Sequence, residues 1–290
     1  MDIRLTGTAA ARSGIPSTFG GTVLVTGATQ GLGRHLARDL AARGATLLLH
    51  GRDRERLDSV ADEVRALSAG RGEVRTYLAD LSDLDEVRSM SAAVREAEPR
   101  LDVLVNNAVA GGGATPLVRE FSRQGHELRF AVNYLAPSLL IRELLPLLSA
   151  SAPARVVQVA SMGQSPVDLD DVMMERGYEG LEAYCRSKLA MIMSTFDLAA
   201  SRPPGSGVTF NALHPAHLMD TRGVREYGLT PAVSVEEGVR PTARLITDPA
   251  LAEVNGRYFD RFTDTAAHEQ AYDQKARERL AALTRELLDG

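Results

Sequence analysis

With 290 residues, 44% of them hydrophobic and 24% charged, the chain has the composition of a soluble globular protein and the length to bury a substantial core. A net charge of -5 without a clustered basic stripe argues against a nucleic-acid surface. The single cysteine, Cys185, excludes an intramolecular disulfide and suits a reducing cytoplasm. The first twenty residues, rich in Gly, Ser, Thr and Ala, lack the apolar core of a signal peptide and are expected to form a flexible extension.

From Thr22 onward, β-branched or Leu-rich runs alternate with helical patterns, which is the signature of a parallel sheet covered on both faces. The pattern predicts strands at 22–26, 46–50, 74–79, 103–106, 155–160, 209–213 and 256–259. Helices are predicted at 32–43, 54–67, 84–98, 124–148, 182–200 and 235–246, with a C-terminal helix over 265–288. The most apolar stretch, 131–148, is interrupted by Asn133, Pro137, Arg142 and Glu143, so it reads as a buried helix and no membrane span is expected. No Pro/Gly linker divides the strands, so residues 21–290 are expected to form one doubly wound α/β domain with seven parallel strands. Right-handed crossovers place all strand C-termini on one edge, where ligands bind such sheets.

The chemistry-bearing residues fall at those strand ends. After the first strand comes Thr26-Gly27-Ala28-Thr29-Gln30-Gly31-Leu32-Gly33, a Gly-rich turn opening a helix. Such a turn lets backbone approach a pyrophosphate at a helix N-terminus, which makes Gly27, Thr29, Gln30, Gly31, Leu32 and Gly33 cofactor candidates. The second strand ends in His50-Gly51-Arg52-Asp53. Gly51 stands where an acid would bind a ribose 2′-hydroxyl, and Arg52 follows, so NADP is favoured over NAD; Arg34 could add a second charge to a phosphate pocket. Asp53 is better read as a helix N-cap. Asp80, with Leu81 beside it, either meets the adenine or caps the next helix. Asn106-Asn107-Ala108 ends the fourth strand, and its small residues let a flat ring approach. Asn133 is a polar residue inside an apolar helix, which calls for a local polar network. Ser161 closes the fifth strand, and Tyr184-Cys185-Arg186-Ser187-Lys188 follows. Only two of the 33 basic residues are lysines. At i, i+4 on a helix, Lys188 stands beside the Tyr184 phenol, whose pKa a compact ammonium can lower.

Together these motifs resemble the short-chain dehydrogenase/reductase family over nearly the whole span 21–262. The segments Tyr184 to Ala190, Gly207-Val-Thr-Phe-Asn-Ala-Leu-His-Pro215 and Gly256-Arg-Tyr-Phe259 resemble its retinol-dehydrogenase-like branch. The resemblance implies a Rossmann fold, an NADP(H)-dependent oxidoreductase and a catalytic set of Asn133, Ser161, Tyr184 and Lys188. Tyr184 would exchange the proton, Lys188 would also hold the nicotinamide ribose, Ser161 would bind the substrate oxygen, and Asn133 would keep a water in line with Lys188. Asn107, Ala108, Pro215 and Thr221 would touch the cofactor, and no metal is implied. Two positions depart from the family pattern: Val109 replaces the usual Gly, with Gly111 to Gly113 keeping that loop flexible, and Ala216 replaces the Gly after Pro215. Two apolar segments would border a lipophilic carbonyl or alcohol substrate. One, over 162–181, holds Val167, Leu169, Val172, Met173, Met174 and Tyr178; the other, a loop over 217–230, holds Leu218, Met219, Val224, Tyr227 and Leu229. The helix bearing Leu139 to Leu148 could pack across a homodimer or homotetramer. Competing readings are a non-catalytic NADP-binding sensor or scaffold and a non-redox lyase or epimerase.

Overall fold

The computed structural model describes residues 16–110, 118–203, 205–226 and 228–290. Most of the 1–20 extension, Gly111 to Gly113 and Tyr227 therefore lie outside the described residues. Phe19 does not: its amide donates to the Arg43 carbonyl at 2.9 Å, which ties the end of the extension to the domain.

The elements run in the predicted alternation: β1 (Thr22–Val25), α1 (Gly31–Arg43), β2 (Thr46–Gly51), α2 (Arg54–Ser68), β3 (Val74–Leu78), α3 (Leu84–Ala97), β4 (Val103–Asn106), α4 (Leu128–Phe130), a π-helical turn (Ala131–Leu135) and α5 (Ala136–Ala150). There follow β5 (Ala154–Val159), α6 (Gly180–Ala200), β6 (Val208–His214), α7 (Arg222–Glu226), α8 (Val235–Thr247), β7 (Arg257–Asp260), β8 (Thr263–Asp264) and α9 (Gln274–Asp289). Strand order is β3-β2-β1-β4-β5-β6-β7-β8. The first seven strands pair in parallel, and the two-residue β8 adds an antiparallel edge that composition could not announce.

The central strands are buried on both faces. Val23, Val25, Leu47, Leu49, Val103 and Val105 pack with Leu36 and Leu40 of α1 and Val239 and Ile246 of α8. Leu24, Leu48, Leu104 and Val156 face the other way, toward Val87 and Val94 of α3, Leu139 and Leu144 of α5 and Leu189 and Met193 of α6. Order reverses between β1 and β4, so the loops after these strands lie side by side at the crevice where doubly wound folds bind ligands.

Of the local expectations, the cap at Asp53 holds, while the capping role of Asp80 and the free apolar row of the long helix change. Asp53 caps α2, accepting from the Arg56 amide at 3.1 Å. The next helix is capped by Asp83, which accepts from Asp85 N at 3.0 Å, while Asp80 folds onto the Ser82 amide at 2.9 Å, so the capping role considered for Asp80 belongs to Asp83. The span Leu128–Ala150 is long and apolar enough to cross a membrane by length and composition, yet 67% of its apolar window is buried within the fold. Leu139, Leu140, Ile141, Leu144 and Leu148 all belong to the core of the chain itself. That apolar row is consumed internally and gives no reason for a dimer across this helix.

Candidate active site

The Gly-rich turn is held from both sides. Thr26 Oγ1 accepts from the amides of Asn107 at 2.9 Å and Ala108 at 3.0 Å, and Asn107 Nδ2 donates back to the Thr26 carbonyl at 2.8 Å. A Cβ on Gly33 would lie 2.2 Å from the Gly27 carbonyl oxygen and 2.6 Å from Asn107 Nδ2, so only glycine lets the turn close on this loop. Gly27, at φ 64°, has the Ala108 backbone where its own Cβ would stand. The turn then opens α1 without a side-chain cap and without an acid in the first turn. By contrast, α2, α3, α6 and α9 all begin with a capping carboxylate. Bare amides at the positive end of a helix dipole are an anion site, and this donor set fits a dinucleotide pyrophosphate.

The other cofactor candidates gather around it. Thr221 reaches Gly31, with its Cγ2 3.3 Å from where a Gly31 Cβ would be. Pro215, Met219 and Leu32 converge on Gly238 of α8. Gly51 packs against Thr29, whose methyl would lie 2.5 Å from an added Cβ. Arg52 is exposed and, among the described residues, makes no ion pair. Arg34 instead pairs with Glu63 of α2 at 2.8 Å, which competes with a phosphate role. Asp80 is half-buried beyond β3, and the Leu81 side chain turns into the core, leaving only its backbone for a ligand.

Beside this cradle the catalytic candidates meet. Asn133 is fully buried in the π-helical turn, a distortion common at functional sites. Its Oδ1 accepts from Ala110 N at 2.8 Å, and its Nδ2 donates to the Ala110 carbonyl at 2.9 Å and to Ser187 Oγ at 3.0 Å. The side chain therefore braces the loop after β4 against α6 and does not itself stand free to hold a water. Pro137, four residues on, has no N–H to give the Asn133 main-chain carbonyl. Ser161 Oγ accepts from Gly163 N at 3.0 Å and keeps its own proton to donate. A Cβ on Gly163 would meet both Ser161 Oγ and Cys185 Sγ, which puts this strand end against the turn of α6 that carries Tyr184. Lys188 is buried, 5.8 Å from the Tyr184 ring centroid, and donates to the Val159 carbonyl at 2.8 Å. Burial lowers its ammonium pKa to about 7.

Several contributors carried no individual signal in the sequence. Ser187 lies inside the Tyr-x-x-Ser-Lys motif yet was assigned no role, and Tyr258, which donates to the Ser161 carbonyl at 2.9 Å, reads as a plain strand aromatic. The expected substrate wall also changes. Val167 is a core residue, Met174 is buried, Leu169, Val172 and Met173 pack on the core, and the Tyr178 hydroxyl donates to buried Glu127 at 2.9 Å. The exposed apolar groups next to the catalytic positions are Val109, Met162 and Leu181, with Leu229 on the 217–230 loop. Exposed His217 stands 3.2 Å from the Met162 sulfur through Nδ1.

A strand-end glycine cradle beside a half-buried Ser161 and Tyr184 and a buried Lys188 defines a nucleotide-dependent oxidoreductase class. Residues 21–230 match the short chain dehydrogenase family, and the chain belongs to it, in the retinol-dehydrogenase-like branch. It is 34% identical over 281 residues to retinol dehydrogenase 13 of Homo sapiens, covering 91% of this chain and 83% of that one. Retinol dehydrogenase 14 of Homo sapiens is 33% identical, with 93% and 87% covered. Among solved structures, an uncharacterized protein from Mycobacterium paratuberculosis superposes with a TM-score of 0.76 at 27% identity, covering 96% of this chain and 98% of that one. An NADP active-site complex of Pseudomonas aeruginosa RhlG gives 0.68 at 26%, covering 86% and 97%. As a member of this family the protein is an oxidoreductase of alcohol and carbonyl groups that uses a nicotinamide cofactor.

Proposed function

We propose that the protein interconverts a hydrophobic carbonyl and its alcohol with NADP(H), Tyr184 acting as the general acid and base. The observation that carries this reading is the buried Lys188 ammonium beside the Tyr184 ring, on the turn of α6 that faces Ser161. A free phenol is a poor acid-base catalyst near neutrality, because its pKa is about 10. A cation at its side favours the phenolate, and a phenolate at the lysine's side in turn favours the ammonium that burial disfavours. Ser161 donates its proton to the substrate oxygen and aligns it with Tyr184. By the family resemblance, Asn133 would keep a water in line with Lys188. Gly27, Thr29, Gln30, Gly31, Leu32 and Gly33 would hold the pyrophosphate, Arg52 the 2′-phosphate, Asn107, Ala108, Pro215 and Thr221 the nicotinamide half, and Lys188 its ribose. When bound, the nicotinamide supplies hydride transfer. A scaffold protein would gain nothing from an ammonium stripped of its hydration, which argues for turnover.

For the substrate, Val109, Met162, Leu181 and Leu229 offer an apolar rim to a lipophilic ligand. The likeness to retinol dehydrogenases, and the NADP in the RhlG complex, point the same way. A cytoplasmic location belongs to this proposal too, supported by the burial of the Leu128–Ala150 helix within the domain. The test is incubation with NADPH or NADH and a panel of hydrophobic ketones and aldehydes, following cofactor absorbance. Tyr184→Phe is expected to bind NADPH normally and to lose turnover; full activity in that variant would end the assignment.

A further inference from the structure

We infer that His50 is a positioning residue for the cofactor, fixing the Gly27 end of the glycine turn through a neutral imidazole protonated at Nε2. The role rests on the reading that this turn takes a dinucleotide. The His50 ring is buried between the turn and the end of β3. The Gly27 amide donates to Nδ1 at 3.1 Å, so that nitrogen carries no proton. Nε2 lies 3.0 Å from the Ala79 carbonyl, which can only accept, so the proton sits there. The His50 main-chain carbonyl also accepts from Ala28 N at 2.8 Å. One residue thus holds two successive amides of the turn.

Gly27 needs such a neighbour. At φ 64° and against Ala108 it has no room for a side chain of its own, so its orientation is set from outside. With its N–H turned onto the imidazole, the amides left for an anion are those at the uncapped start of α1. The next residue, Gly51, packs on Thr29, and Arg52 follows, so the ring links the pyrophosphate end of the cradle to the 2′-phosphate end. Burial holds the imidazole neutral, with a pKa of about 4 against the opposing pull of Asp80 just beyond β3, and the turn itself carries no titratable group. The latch is therefore constant across physiological pH.

Calorimetric titration of NADP+ into the wild type and three variants tests the role, with thermal melts alongside. His50→Asn keeps an acceptor at the depth of Nδ1, His50→Gln keeps a donor at the depth of Nε2, and His50→Leu keeps neither. The expected result is a Kd close to wild type for Asn and about tenfold or more weaker for Gln and Leu. Uniform loss of thermal stability with unchanged Kd in all three, or an Asn variant as weak as Leu, overturns the role. Should a variant fail to fold, nitrogen NMR of the wild-type ring decides: an unprotonated Nδ1 and a Gly27 amide that shifts on NADP+ addition support the latch, and a proton on Nδ1 overturns it. Wild-type protein that bound neither NADP+ nor NAD+ would remove the dinucleotide reading itself, and the latch role with it.

Discussion

Replacing Lys188 with methionine should make the protein more stable and inactive, and the size of the gain should depend on pH. Burial lowers the ammonium from 10.5 to about 7 in the folded chain. The unfolded chain keeps the ordinary value, so between about 7 and 10.5 it binds a proton that the folded state does not. Folding stability therefore rises with pH through that window, and the full cost of burying the charge is felt below it. At about 1.4 kcal/mol per unit this cost is roughly 5 kcal/mol near pH 6. Methionine has similar length and no charge, so it removes the cost, but it leaves the Val159 carbonyl without its donor, which takes back about 1–3 kcal/mol. The variant should thus gain about 2–4 kcal/mol near pH 6, or roughly 3–7 °C in Tm for a chain of this size. Near pH 9.5 only about one unit of the shift remains, and the two effects should nearly cancel. Thermal or urea unfolding of both proteins across this range measures the gap directly. A variant less stable near pH 6, or a gap that does not change with pH, would refute the reasoning that Lys188 is a charge held at a cost.

Arg52→Ala should weaken NADPH binding by about ten- to a hundredfold through loss of a charge-assisted contact, while NADH binding stays within about twofold; equal losses for both cofactors would remove the 2′-phosphate role. Gly33→Ala, with its new Cβ 2.2 Å from the Gly27 oxygen, should cost about 1–3 kcal/mol in a urea melt and abolish cofactor binding. Glu127→Ala removes the N-cap of α4, the acceptor of the Tyr178 hydroxyl and the carboxylate facing buried Arg129. It should cost about 3–5 kcal/mol, and substrate KM should rise as the 162–179 segment loosens; an unchanged melt would show that this cluster contributes nothing.

How far the sequence could be read depended on which physical signal each feature leaves. Seven strands were legible because short β-branched or Leu-rich runs alternate with helical patterns, and the central runs are apolar on both faces. The Thr263–Asp264 edge pair leaves no such run, being exposed and two residues long. Asn133 was legible as anomalous, since a mid-helix amide must find partners, but which partners it finds depends on the loop after β4, a contact across the fold. The apolar row from Leu139 to Leu148 carries no separate signal for an oligomer, because a helix buried against α3 and the sheet writes the same pattern as one facing a second subunit. Val167 and Met174 misled for a related reason: apolar character says that a side chain leaves water, not whether it does so into a core or a ligand pocket. Met162 and Leu181, the ends of that segment and each within three residues of a candidate catalytic position, are the members left exposed.

The deeper contrast lies between the buried arginine and the buried lysine among the described residues, Arg129 and Lys188. Arg129 faces a carboxylate, Glu127, at 3.5 Å and a phenol, Tyr178, that also binds Glu127. Its charge is answered within the fold, and its fixed fork suits that answer. Lys188 has one hydrogen-bond acceptor, the Val159 carbonyl, and two further N–H groups to give. A guanidinium at this position would bring five donors in a rigid fork and would stay charged at every accessible pH. An ammonium can lose its proton, turn its remaining donors toward whatever anion arrives beside Tyr184, and regain the charge when it does. In a chain that otherwise writes arginine almost everywhere, with its only other lysine exposed on α9, the lysine at 188 is what a site for moving protons requires and a site for holding the fold does not.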